Sequence, residues 1–464
     1  MRYENIGGQA DLFTEYTELR VQRNSQVNIA LLKGDILRNN RSTVGGVSAR
    51  VFKDGAWGFA SDPDIGNESI EGAVRLATRN ALFLASRAGN VGAKLPQTSG
   101  ASSSSGSHDL STKKTRLAQK DLLDFARAVD SYIAATYPAL LSRNVGLGCL
   151  DMEKTLLTSE GAEAYSLVPR AILYVNLAMN DAEGNPVELY RAFGGRGQFE
   201  DVFTTPFALE EGLDELHGHL VAKAASVYPD AGLRRVILGP DLAGILAHEA
   251  IGHTVEGDGV LGGSVAGAYL GKKVASDLVT LVDFAHTALG STCPVPLWID
   301  DEGTQAKDAV LIEKGLLKSF MHNKETAAKL GAEPTGNARA YAFSDEPLVR
   351  MRNTAIVPGT SKLADMIASI DDGYYLMKSS NGQADSTSEF MFGVVLGYEI
   401  KGGKLGRAIR DTTVSGVAFD MLKTVTAVSD DMSWGCGGMC GKKQMIPVGM
   451  GGPAIACSIN IGGR

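Results

Sequence analysis

Residues 239–258 read Gly-Pro-Asp-Leu-Ala-Gly-Ile-Leu-Ala-His-Glu-Ala-Ile-Gly-His-Thr-Val-Glu-Gly-Asp, a proline-started helix that follows a short apolar strand, Arg234–Leu238. Pro240 stands at or next to the first helical position, where its missing N–H costs nothing. Leu242, Ile245 and Leu246 anchor the start of this helix in a core and leave its C-terminal end near the surface, where a site could open. That end carries His248-Glu249-Ala250-Ile251-Gly252-His253, the pattern H-E-x-x-x-H. In the shorter H-E-x-x-H the histidines are four apart, ~40° around an α-helix, and share one zinc ion. Five apart they are ~140° around an ideal helix and cannot reach one ion. The spacing therefore predicts a π-bulge or an unwound last turn, and Gly252 is the residue that tolerates such a break.

Toward the N-terminus, period-two patterns predict strands over 12–21, 26–32, 44–52 and 57–60, with glycine and Asn-Asn punctuation between them. Ile70, Ala73, Val74, Ala77, Ala81 and Leu84 then predict an amphipathic helix over 68–88, capped by Asn67 and followed by Gly89. The serine-rich tract Ser99–Ser107 reads as a flexible surface insertion within about 94–114. A second helix is expected over 120–136, short extended runs with Asn, Asp and Gly turns over 146–200, and a third helix from Pro206 to Ser226. Together these predict a first domain over 1–230, helices layered on a mainly antiparallel sheet.

Toward the C-terminus, turns at Glu313-Lys314-Gly315 and Lys401-Gly402-Gly403 predict hairpins, and short helices are expected near 323–330, 361–371 and 416–426. A last strand, Ala454–Ile461, sets Ile455, Cys457, Ile459 and Ile461 on one face. This is a β-rich second domain over 231–464, and the fold class is α+β with two domains.

Composition narrows the function. With 44% hydrophobic and 21% charged residues the chain is neither disordered nor fibrous, and its 55 glycines follow no three-residue period. A net charge of −8 gives no footprint for general nucleic-acid binding. No run approaches the ~18 apolar residues of a membrane span, and Met1–Gly8 lacks the apolar core of a signal peptide. Five thinly spread cysteines fit a reducing compartment, so the expected location is the cytoplasm.

A catalytic zinc needs three protein ligands and an open position. Of the other histidines, His217 and His219 are expected to face solvent, His108 lies in the serine tract, and His286 and His322 read as structural. The best third ligand is a cysteine of Gly435-Cys436-Gly437-Gly438-Met439-Cys440-Gly441-Lys442, where bare backbone lets a thiolate approach a metal and Lys442 can favour the anionic sulfur. Cys436 and Cys440 could instead form a redox pair or a buried structural one.

These residues resemble the TldD/PmbA family in several ordered motifs: His248–Asp258, Ile299-Asp-Asp-Glu-Gly303, Ile312–Lys318, Pro334-Thr-Gly-Asn-Ala-Arg339, and Met439-Cys-Gly-Lys442 with Pro447-Val-Gly449. The resemblance implies a two-domain cytoplasmic protein of a family formerly described as modulators of DNA gyrase. Its TldD branch is a zinc metallopeptidase acting with a PmbA partner that lacks the metal motif, and the intact H-E-x-x-x-H resembles that catalytic branch. It carries the ligands onto His248, His253 and Cys440 and the catalytic glutamate onto Glu249, and leaves Cys436 without a role. It further implies extended, unfolded or leader-bearing peptide substrates and a dimer, either of two copies or with a PmbA-like chain. Glu256 and Asp258 either orient a ligand histidine or form a solvated helix-end pair, and Arg339 either meets substrate or makes a structural ion pair. The chain departs from the family in a short segment before the first strands, which truncates the usual N-terminal helix, in the serine-rich insertion, and in a loop one residue tighter after Cys440. A metal-free PmbA-like binding subunit and a thiol redox protein are the competing functions.

Overall fold

The computed structural model of the chain describes residues 6–88, 95 and 105–462. Gly89 and residues 96–104 of the serine-rich stretch lie outside them. The first sheet is built from β1 (Tyr16–Leu32), β2 (Asp35–Lys53), β3 (Ala56–Asp62), β4 (Gly106–Asp109), β5 (Ser142–Thr158), β6 (Glu163–Asn180) and β7 (Pro186–Arg196). Their order is β3-β2-β1-β5-β6, with β4 and β7 both pairing β6. All pairs are antiparallel except β4 with β6.

The strands run longer than the local patterns predict. β1 and β2 form one continuous hairpin through Arg23–Ser25 and Asn39-Asn40, the positions expected to interrupt it. The expected short runs over 146–200 are likewise long strands. For β1 the reason is burial of polar residues, whereas Asn39 and Asn40 of β2 are exposed and simply continue the pairing with Ile29 and Asn28. Arg20, Gln22 and Asn24 of β1 look like turn composition but donate to backbone carbonyls of Tyr341–Asp345 across the molecule. Arg50 of β2 binds Glu302 at 2.6 Å, and Lys154 of β5 binds Asp301 at 2.6 Å. The Asp-Asp-Glu motif over 300–302 thus docks the first sheet onto the rest of the chain.

The predicted helices stand: α1 (Asn67–Ala88), α2 (Gln119–Thr136) and α4 (Glu210–Ala224), with a single turn, α3 (Phe199–Val202), between the last two. α1 buries Ile70, Ala73, Val74, Ala77 and Ala81 against β1–β3, while Leu84 is exposed. α2 and α4 cover the β5–β7 half of the sheet, and Leu396 of the second part joins their core. The end of the serine tract corrects another expectation. Residues 106–109 form β4, and His108 stacks on Trp298 with ring centroids 4.1 Å apart.

The second part contains two sheets. One runs 316–317, 309–313, 281–284, 353–356, 449–452, 433–435. In the other, β8 (Gly232–Leu238) lies between Asp372–Ala384 and Ile455–Ile461, and the pairing of Asp372–Ala384 with Glu389–Lys401 closes the sheet on itself. Both predicted hairpins and the alternating last strand are present. α5 (Pro240–Ile245) follows β8 and is wedged between the two sheets, sharing one apolar core with both. A Cβ at Gly244 would lie 2.8 Å from the backbone of Gly451, so helix and strand meet backbone to backbone. The chain is α+β.

Candidate metal centre

Past Ile245 the helix loosens into a π-turn over Leu246–Gly252. The N–H of His253 donates to the carbonyl of His248, a hydrogen bond that spans the same five residues as the two histidines. A turn closed at i+5 stacks residues five apart, so the widened turn brings both imidazoles to one side. Their ring centroids are 5.2 Å apart and nearly perpendicular. Gly252 has a role other than the expected one. Its backbone is ordinary right-handed helix, φ −52° and ψ −53°, and a Cβ there would lie 2.0 Å from Met351 Sδ. It supplies room for a neighbour, not freedom to break.

Cys440 comes from a hairpin of Met439–Lys442 and Gln444–Pro447. Its Sγ lies 3.4 Å from His253 Nε2. One donor atom from each of His248, His253 and Cys440 falls within 4.8 Å of the others. The expectation that this helix end lies at the surface is corrected, since His248 is fully buried and only His253 and Glu249 keep partial access.

Three observations fit this trio to a soft-to-borderline divalent metal. Both ring nitrogens of His248 are buried without a hydrogen-bond partner, a costly state for groups that seek one. Burial first, then the charges of His253, Arg350 and Arg339, hold the His248 ring far below the usual histidine range, so it is a neutral donor. Two imidazoles and a thiolate are also the donor types that select zinc.

The surrounding groups divide by contact. Glu256 accepts from His253 Nδ1 at 2.9 Å and fixes the ring so that Nε2 faces Cys440. Burial opposes charge on His253, yet its hydrogen bonds and charge interactions with Cys440 and Glu256 outweigh that and raise it to about 10. Glu249 Oε2 is 3.7 Å from His253 Nε2, and burial raises its carboxyl above the usual range, against the His253 charge and with the help of Glu256. Lys442, expected to favour the anionic sulfur, bonds elsewhere. Its ammonium binds Glu256 at 3.1 Å, Asp258 at 2.7 Å and the Val349 carbonyl. Among the described residues Asp258 meets the site through that lysine.

Arg339 is buried and donates to the carbonyls of Met351 and Pro447, so it braces the hairpin. Arg350 is the residue that local patterns miss. Fully buried, it donates to the carbonyls of Cys440, Lys442 and Gln444. Its only trace in the sequence is the repeat Arg350-Met351-Arg352 inside an otherwise packed segment. Cys436 turns away from this cluster and lines a cavity of about 560 Å³ with Tyr174, Tyr190, Asp241, Trp434 and Met439. Burial raises its thiol, and both cysteines are free. His217 and His219 are half-buried and each has a partner: His217 stacks on Tyr137 at 4.1 Å, and His219 Nδ1 meets the Tyr398 hydroxyl at 2.6 Å.

The chain is similar to known metallopeptidases. Residues 231–463 match the PmbA/TldA metallopeptidase C-terminal domain, and residues 17–81 match domain 1 of the same metallopeptidases. A metalloprotease of Methanothermobacter thermautotrophicus is 31% identical over 453 residues, 95% of this chain and 94% of that one. A zinc metalloprotease TldD homolog of Saccharolobus solfataricus is 32% identical over 259 residues, 55% of this chain and 58% of that one. The crystal structure of TldE from Thermococcus kodakarensis shares the fold over 99% of both chains, with a TM-score of 0.77 at 17% identity. No helix among the described residues is long and apolar enough to cross a membrane. The chain belongs to the PmbA/TldD family of metallopeptidases.

Proposed function

We propose that the chain is a zinc-dependent peptidase in which His248, His253 and Cys440 hold the ion and Glu249 is the general base. The observation that carries this reading is the π-turn, which sets histidines five apart beside one cysteine sulfur while both nitrogens of His248 stay without a partner. Bound zinc supplies Lewis-acid polarisation of the scissile carbonyl and acidifies water. Glu249, partly buried and with its carboxyl raised, takes the proton of the attacking water and returns it to the leaving amine. It stands beside the ligand set without belonging to it. Glu256 keeps the His253 ring in place during these transfers.

The substrate is an extended peptide of an unfolded or leader-bearing protein. Ser433–Gly435 is the edge strand of its sheet, and its Trp434 and Gly435 line the cavity that reaches Met439, next to Cys440. An extended chain paired to that edge gains main-chain hydrogen bonds with little demand on its side chains. The working unit is a dimer, of two copies or with a PmbA-like chain, acting in the cytoplasm, and the functional division of the chain falls near residue 230.

Metal analysis of protein purified without added zinc tests the ligands, and peptide hydrolysis tests the base. Wild type should hold about one zinc per chain, and Cys440→Ala and His248→Ala should lose it. Glu249→Gln should keep the metal and lose about 10²–10⁴-fold in rate. Full zinc retention in both ligand variants overturns the site, and an unchanged rate in Glu249→Gln overturns the mechanism.

A further inference from the structure

The loop leading into Cys440 is gripped from across the molecule. Ser433–Gly435 ends, Cys436-Gly437-Gly438 follows, and Met439–Lys442 begins. Arg170 of β6 donates from Nη2 to the Cys436 carbonyl at 2.7 Å and from Nη1 to the Gly438 carbonyl at 3.3 Å. Between them, the Tyr174 hydroxyl donates to the Gly437 carbonyl at 3.2 Å. Three successive carbonyls are held by two side chains four residues apart on one strand, hence on one face of the sheet. Among the described residues Arg170 has no carboxylate partner, and its guanidinium contacts are to this loop. The fit requires bare backbone, because a Cβ at Gly437 would lie 2.2 Å from the Tyr174 hydroxyl oxygen.

On the other side, the same hairpin is fixed from within the second part of the chain. Arg350 donates to the Cys440 carbonyl and Arg339 to that of Pro447, each at 2.8 Å. Cys440 is therefore presented by a strand whose inner side is tied to its own sheet region and whose approach is tied to the first sheet. A segment with glycine at 435, 437, 438 and 441 has much backbone freedom to lose. Besides the N–H of Val448, which donates to the Gly438 carbonyl at 3.1 Å, contacts from outside the hairpin select one path for it, and a ligand sulfur is placed no better than the backbone that carries it.

We infer that Arg170 and Tyr174 are positioning residues for the metal centre: the first sheet, through this clamp, sets the path of the loop that holds the Cys440 sulfur against His248 and His253. The inference rests on Cys440 being a ligand. It gives the N-terminal sheet a part in metal binding that none of its own side chains performs by coordination.

The test compares wild type, Arg170→Met, Arg170→Lys and Tyr174→Phe, with Cys440→Ala beside them. Zinc affinity is read by competition with a chromophoric chelator, and the cobalt-substituted proteins are read by their thiolate-to-cobalt absorption. Arg170→Met should bind zinc about 10–100-fold more weakly, the usual effect of losing a contact behind a ligand, with a weakened or shifted cobalt band. Arg170→Lys should recover part of both, and Tyr174→Phe should lose about 3-fold, the worth of one neutral hydrogen bond. If Cys440→Ala loses the band while Arg170→Met and Tyr174→Phe keep wild-type affinity and spectrum, the clamp is overturned and the ligand stands. If Cys440→Ala keeps both zinc and band, the ligand assignment itself fails. Should Arg170→Met not fold, Arg170→Lys and Tyr174→Phe decide the matter with the same two readouts.

Discussion

Two buried polar clusters lie in the second part of the chain, and they are built on opposite terms. Around Asp283 and Arg352, both 0% exposed, every strong donor and acceptor is matched. Asp283 accepts from the Arg352 side chain, from the backbone N–H of Arg352 and Asn353, from Thr354 and from Asn337. The Arg352 guanidinium donates in addition to the carbonyls of Thr335, Gly336, Asp283 and Lys307. His248, equally buried, has no hydrogen-bond partner for either ring nitrogen among the described residues. Individual unmatched atoms also occur in the scaffold, at Arg20, Gln22 and Arg350, but His248 is a whole ring with neither nitrogen matched, set beside two other ligand-type side chains, and that combination marks where the protein expects something else. The same physical cost thus separates scaffold from site within one core.

Breaking the matched cluster should have the largest effect. Asp283→Ala leaves the guanidinium of Arg352 buried without its anion, which costs about 3–5 kcal/mol. That is a large share of the ~5–15 kcal/mol that holds a typical domain, so the urea midpoint of the metal-free protein should fall steeply or the variant should fail to accumulate. A midpoint near wild type would erase the contrast between the clusters.

His322 is an intermediate case. It is buried, with one partner, the Thr326 hydroxyl at 3.1 Å from Nδ1, and burial lowers it to about 4. Its unfolded value is near ~6.5, so above that pH neither state binds the proton and nothing is lost. As pH falls from there to about 4 the unfolded chain takes up a proton that the folded chain refuses, and stability drops by about 3 kcal/mol. His322→Gln should flatten that acid limb of the urea midpoint measured against pH. An unchanged slope would mean that the ring is charged in the fold.

Removing the unmatched group should have the opposite sign. His248→Leu, close in volume, relieves the burial of two unpaired nitrogens and should stabilise the metal-free protein by about 1–3 kcal/mol. With zinc added the order should reverse, because only wild type gains binding energy. Thermal unfolding with and without a chelator measures both, and a metal-free His248→Leu that is less stable than wild type would make His248 part of the scaffold.

The same contrast explains what local patterns could and could not reveal. The five-residue histidine spacing demanded a distorted turn because helix geometry admits no other route to one ion, and the π-turn is that distortion. Helices α1, α2 and α4 follow from apolar faces that each element buries by itself. The full length of β1 did not, since Gln22 and Asn24 are bonded to a residue more than three hundred positions away. Polar residues in a strand look like a turn until their partner is known. Arg350 and Arg170 escaped for a related reason: they act on backbone carbonyls, and a carbonyl leaves no mark in the sequence. Lys442 was expected to serve the sulfur because it is near in sequence, but the acids of the helix end are nearer in space.

Those two acids give the finest division between site and scaffold, because Lys442 binds both and only one touches a histidine. Glu256 is buried and bonded to His253 Nδ1, whereas the Asp258 carboxylate is about one-third exposed and bonded to Lys442 and its own turn. Glu256→Gln removes the charge that orients the ring and should weaken zinc binding about 10–100-fold, as expected for a partner behind a ligand. Asp258→Asn should leave zinc affinity within about 3-fold and change stability by no more than ~1 kcal/mol, the usual worth of a partly solvated ion pair. Chelator competition on the two variants, with thermal unfolding beside it, separates them. Equal losses of zinc affinity would mean that Lys442 transmits the effect of either acid to His253, and that the site extends one residue further into the scaffold than direct contact defines.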